Sequence, residues 1–65
     1  MVSDETRKIW NEKYRDIEEA VSIGKIELNE WEDAFIDSIS IDLACEKDIS
    51  MRQSICLNKI WERAI

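Results

Sequence analysis

Asn29-Glu30-Trp31-Glu32-Asp33-Ala34-Phe35-Ile36-Asp37-Ser38-Ile39-Ser40-Ile41-Asp42-Leu43 is the stretch whose pattern decides the fold. Asn29 stands three residues before Glu32, an N-x-x-E form of the capping box. The Asn29 side chain can accept from a first-turn amide while Glu32 reaches back to the amide of Asn29. Trp31, Phe35, Ile39 and Leu43 then advance by fours, and Ile36 completes an apolar side. This spacing predicts a helix over about 30–46 that buries Trp31 and Phe35. Glu30, Asp33 and Asp37 fall on the other side, with Ile41 beside them as an apolar residue on what should be the wet face.

The same reading extends in both directions. Upstream, Ser3 or Asp4 can cap a helix whose first turn carries Asp4 and Glu5 against the positive end of the macrodipole. Trp10, Tyr14, Ile17 and Val21 form a narrow apolar stripe flanked by Ile9 and Ala20, while Glu12, Asp16 and Glu19 lie opposite. Gly24 sits where a left-handed C-cap is wanted, so this helix covers about 4–23. Downstream, Ser50-Met51-Arg52-Gln53 is a second capping box, with Gln in the N3 place. Gln53, Cys56, Leu57, Ile60 and Ala64 make the inward face of a helix over 51–64, bordered by Trp61. The predicted fold is all-α: one small three-helix domain spanning residues 1–65.

Composition agrees and narrows the function. Of 65 residues, 37% are charged and 45% hydrophobic; one is Gly, and Pro and His are absent. A chain this short holds one small domain. Without His there is no His general base, no His metal ligand and no Ser-His or Cys-His pair. A β-sandwich needs more turn residues than one Gly supplies. Cys45 and Cys56 form no C-x-x-C, and two thiols without His do not make the usual four-ligand zinc site. They read as ordinary, partly buried thiols. The opening MVSDETRK has no apolar signal core and no segment approaches a membrane span, so the expected compartment is the cytoplasm, with reduced thiols. Carboxylate pairs such as Glu18/Glu19 and Glu32/Asp33 could serve as acid and base only in a partly dry pocket. A domain of this size spends its apolar residues on its own centre. No phosphate-binding loop, dinucleotide turn or calcium loop is present. The expectation is a protein that is not an enzyme and takes no cofactor or metal.

Residues 28–63 resemble a small helical module of phage, prophage and archaeal replication or recombination proteins. Its pattern runs L-[ST]-x-W-E-x-x-F-I-x-S-I-x-x-Q-L, a Gly-Arg turn, then L-S-x-K-Q-x-x-x-L-x-x-I-[YW]-E-[KR]. The matching residues here are Leu28, Asn29, Trp31, Glu32, Phe35, Ile36, Ser38, Ile39 and Leu43, then Ile49, Ser50, Arg52, Gln53, Leu57, Ile60, Trp61, Glu62 and Arg63. The resemblance implies a pair of capped helices joined by a turn and a phage-like origin, more than it implies an activity. Asp42 replaces the module's Gln, and Glu46-Lys47 replaces its Gly-Arg turn. These departures make the middle helix more acidic.

Charge separates the remaining functions. Fifteen acidic and nine basic residues give a net charge of −6 and a pI near 4.5. Residues 49–65 alone are net positive, through Arg52, Lys59 and Arg63 against Glu62. Three readings follow. The first is a small acidic binding protein, phage-encoded in origin, that inhibits or modulates a larger host protein machine. Its Glu12/Asp16/Glu19 and Glu30/Asp33/Asp37 rows, with Ile41, would meet a basic surface and imitate the charge of nucleic acid. The second is a nucleic-acid accessory module using Arg52, Lys59 and Arg63. The third is a homodimer whose seam is drawn from Ile26, Ile41, Met51, Ile55 and Ile65, residues left over once the core is filled. Against the first two stands the ordinary reading of charge rows at helical spacing, a solvated face; against the third stands the normality of singly exposed apolar residues.

Overall fold

The computed structural model describes residues 3–65. They form three helices, α1 (Asp4–Ser22), α2 (Glu30–Ala44) and α3 (Met51–Ala64), with no strand among the described residues. The chain is therefore the all-α three-helix domain its periodicity predicts. The helices run up, down and up. Lys13 Nζ donates to Asn58 Oδ1 at 2.7 Å and Trp61 Nε1 to Asp16 Oδ2 at 3.0 Å, one constant offset along parallel α1 and α3. Arg63 near the end of α3 instead meets Glu32 at the start of α2, as antiparallel neighbours do. The α1–α3 interface is the most extensive and the α2–α3 interface the least.

Local chemistry sets each helix end. Ser3 caps α1, accepting from the Thr6 amide at 3.2 Å. Both capping boxes close in both directions: Glu32 N–H donates to Asn29 Oδ1 at 2.7 Å and Asn29 N–H to Glu32 Oε1 at 3.1 Å. Gln53 N–H likewise donates to Ser50 Oγ at 3.1 Å, and Ser50 N–H to Gln53 Oε1 at 2.8 Å. At the end of α1, Gly24 takes φ 77°. Lys25 N–H then reaches the Ala20 carbonyl and Gly24 N–H that of Val21, a Schellman closure. α2 closes the same way around Glu46 at φ 57°, with Lys47 N–H to Asp42 and Glu46 N–H to Leu43. α1 and α2 thus stop at Ser22 and Ala44, short of the predicted 23 and 46, because those residues are spent on the caps.

The core is a thin layer shared by all three helices. Ile17, Ile36, Ile39 and Leu57 are fully buried, and Trp10, Ala20, Ile49, Ile60 and Ala64 surround them. Tyr14, Ile26, Leu28, Phe35, Leu43 and Trp61 pack against that layer from its edge. Three expectations need correcting. Val21, the last residue of the α1 stripe, is exposed at the end of that helix. Ile26 is not left over, since the segment joining α1 and α2 folds it back onto the core. Trp31 is not a core residue: it is 62% exposed, and Phe35 is half-buried. Steps of four overshoot a helical turn by about 40° each, so Trp31 and Leu43 stand about 120° apart around the axis. One narrow core cannot take both, and it takes the Leu43 end.

Candidate functional site

The exposure of Trp31 divides α2 into three faces, roughly a third of a turn each at about 100° per residue. Ile36, Ile39 and Leu43 face the core. Glu30, Asp33 and Asp37 form an acidic row, all exposed. Trp31, Ala34, Ser38 and Ile41 occupy the third face, which continues to Phe35 at the core's edge. This outer face is structured. The Trp31 and Phe35 rings stack with centroids 5.4 Å apart and planes 5° from parallel. Phe35 packs against the edge of the core, and the exposed indole stacks on it. Together with Ala34, Ser38 and Gln53 of α3 they line a shallow open cleft of about 290 Å³. Ile41, 64% exposed, extends the apolar stripe.

α2 carries Glu30, Glu32, Asp33, Asp37 and Asp42 and no Lys or Arg. Among the described residues, only Glu32 of these is engaged by a cation: it accepts from Arg63 while completing its own capping box. Glu30, Asp33 and Asp37 make no ion pair with any described residue. These three carboxylates thus stand beside an apolar stripe with no described cation within ion-pair distance.

The acids of α1 are placed differently. Glu12 and Glu19 are exposed, whereas Asp16 accepts from the Trp61 indole across the α1–α3 interface. Lys13 sits 4.9 Å over the same indole ring, so Asp16 and Lys13 hold Trp61 from two sides. Asp16 and Glu19 also border a second open cleft of about 310 Å³, floored by Ala20 and Ala64 and walled by Ile23 and Ile65. Asp16 and Glu19 of the α1 row thus lie on the side of α1 turned toward α3. The α2 row lies on the side of α2 turned away from α3, because Glu32 and Phe35 face that helix. The two rows do not merge into one acidic face.

Of the basic row on α3, Arg52 and Lys59 are exposed and make no ion pair with a described residue. Arg63 is tied down: besides the Glu32 carboxylate, its Nη2 donates to the Glu27 carbonyl at 2.8 Å. Arg63 is thereby a clamp between α3, the α1–α2 connection and the start of α2. The other ion pair, Arg7 to Asp48 at 2.9 Å, holds α1 to the α2–α3 connection. The hydrogen bonds that Arg7 donates to the Asp48 carboxylate, with the charges of neighbouring carboxylates, raise the Arg7 guanidinium above its ordinary value. Cys45 is exposed and Cys56 half-buried, both free thiols. Met51 and Ile55 of the expected leftover set are exposed on α3, and Ile65, just past its end, is exposed at the α1–α3 cleft.

The Trp31–Phe35 cleft is masked in the sequence because Trp31 belongs to two spacings at once, the fours of 31, 35, 39 and 43 and the outer stripe of 31, 34, 38 and 41. Among the described residues no group of three or more acid or cysteine side chains is arranged to hold a metal ion, and no helix is long and apolar enough to cross a membrane. Compared with known proteins, the chain matches no protein-family model, no curated protein and no solved structure.

Proposed function

We propose that this chain is a small, non-enzymatic, acidic helical protein that acts by contact with another protein, docking through the outer face of α2. The observation that carries this reading is an exposed tryptophan, stacked on Phe35, on a helix with five carboxylates and no base. Ordered aromatic side chains dominate binding energy where a partner excludes water from them. Uncompensated carboxylates beside them select partners with basic surfaces and speed encounter. The resemblance of residues 28–63 to phage and archaeal replication modules supports the setting: a phage-derived modulator of a larger host protein machine.

A second reading, self-association, draws on Met51 and Ile55, 81% and 51% exposed on α3. One experiment separates these readings from nucleic-acid binding. A photo-crosslinking amino acid is placed at position 31, or at 55 as comparison, in nuclease-treated host extract. A protein adduct at 31, lost when Glu30, Asp33 and Asp37 become amides, is the expected result. Adducts only between copies through 55 would replace this function with homodimerisation. Retention on DNA that disappears with Arg52→Glu and Lys59→Glu would move the function to α3.

A further inference from the structure

We infer that the outer face of α2 receives a cationic amphipathic helix, one apolar side chain of which enters the cleft at the Trp31–Phe35 stack, on the edge toward Gln53, while its Lys/Arg row runs along Glu30, Asp33 and Asp37 on the other edge. The inference rests on the reading of α2 as the docking face and names the class of partner. Shape supplies the first argument. At about 290 Å³ and open, the cleft lies at or below the roughly 300–1,000 Å³ of small-molecule pockets and suits side chains laid in from a partner surface. The stacked rings give one wall a flat aromatic surface, and each ring has few rotamers to lose when it is covered.

Charge supplies the second argument and selects the occupant. Glu30, Asp33 and Asp37 recur at i, i+3 and i+7, the spacing at which a partner helix presents its own row of one sign. A nucleic acid could stack a base on Trp31, but its phosphates would then lie along a helix that has five carboxylates and no cation. A second copy fares no better. Antiparallel pairing of α2 with its twin, the arrangement that sets Trp31 against Ile41, aligns the acidic row with itself. A helix apolar on one side and basic on the next satisfies both the stripe and the row.

The probe is a synthetic Leu/Lys helix of about 18 residues, amphipathic by design, beside a scrambled peptide of the same composition. Binding is followed by fluorescence anisotropy at low and high salt, and by the indole N–H resonances, with that of Trp31 assigned through Trp31→Phe. We expect the amphipathic peptide to bind about tenfold tighter than the scrambled one, and Trp31→Ala to remove that preference at either salt concentration. The Trp31 indole should shift while that of buried Trp10 stays still. Glu30→Gln, Asp33→Asn and Asp37→Asn together should weaken binding and flatten its salt dependence with the circular dichroism unchanged. Equal binding of both peptides, or an unmoved Trp31 indole, overturns the inference. So does a Trp31 shift produced by single-stranded oligonucleotide, or by raising the protein concentration alone. If position 31 crosslinks to a protein in extract and neither peptide binds, the docking face stands and the cationic-helix class is wrong.

Discussion

Glu46 holds φ at 57° with a full side chain, where Gly24 holds 77° without one. An L residue in the left-handed region costs about 1–2 kcal/mol, partly offset by the extra unfolded-state freedom glycine would bring. Glu46→Gly should therefore raise stability by about 0.5–1 kcal/mol in urea unfolding. Gly24→Ala should lower it by about 1 kcal/mol, a pure backbone effect, since a Cβ there meets no atom within 4 Å. Changes of the same sign at both positions would contradict the shared Schellman geometry. The sequence carried a hint, because the resembling module has Gly-Arg where this chain has Glu46-Lys47. A second contrast concerns side chains. Ile39→Ala, at a fully buried site, should cost about 2–5 kcal/mol. Trp31→Ala should cost only the ring stack, about 0.5–1.5 kcal/mol. Matching thermal melts for the two variants would place Trp31 back in the core.

The starts of α2 and α3 were legible because a capping box is written within four residues: Asn29 to Glu32 and Ser50 to Gln53. Ser50→Ala should accordingly destabilise by about 0.5–2 kcal/mol, whereas Ser40→Ala, inside α2, should change little. The attachment of α2 was not legible. Its tie is Arg63, which binds Glu32 and the Glu27 carbonyl from 31 and 36 residues away, and no local pattern announces such a pairing. In the sequence Arg63 belongs to a basic row with Arg52 and Lys59, and folding removes it from that row. Glu32, similarly, reads as one carboxylate among many until its two bonds are seen. Arg63→Ala leaves the mostly covered Glu32 carboxylate without its cation and should cost about 1–2 kcal/mol. The loss should appear first as faster amide exchange at the start of α2, with α1 and α3 protected. Uniform exchange across all three helices would mean that α2 has no independent opening. Orientation of the outer face was equally hidden. Periodicity locates apolar residues around an axis, but which arc meets the core depends on where α1 and α3 sit.

For the molecule as a whole, charge and size act together. A net charge of −6 is spread over a body of 34 × 20 × 18 Å. At low salt the screening length reaches about 30 Å, so nearly every carboxylate feels every other; at physiological salt it falls to about 8 Å. Two opposing effects then compete as salt is added. Self-repulsion of the excess carboxylates is relieved, and the ion pairs Arg7–Asp48 and Arg63–Glu32 are weakened. The pairs are few and partly solvated, while α2 alone concentrates five carboxylates without a base, so the repulsion should win. The melting temperature should rise by a few degrees from low to high salt, since about 0.5 kcal/mol corresponds to roughly 2–4 °C in a domain of this size. The acidic row separates the contributions. Asp37 lies beyond the first turn of α2 and only repels, so Asp37→Asn should raise the melting temperature at low salt and flatten its salt response. Glu30 and Asp33 also face the positive end of the helix macrodipole, an interaction of about 0.3–1 kcal/mol each. Glu30→Gln and Asp33→Asn should therefore be neutral or slightly destabilising at low salt. A melting temperature that falls as salt is added would show the two ion pairs outweighing the whole acidic surface. A gain from Glu30→Gln as large as from Asp37→Asn would show repulsion outweighing the dipole, with the row held at a stability cost from end to end.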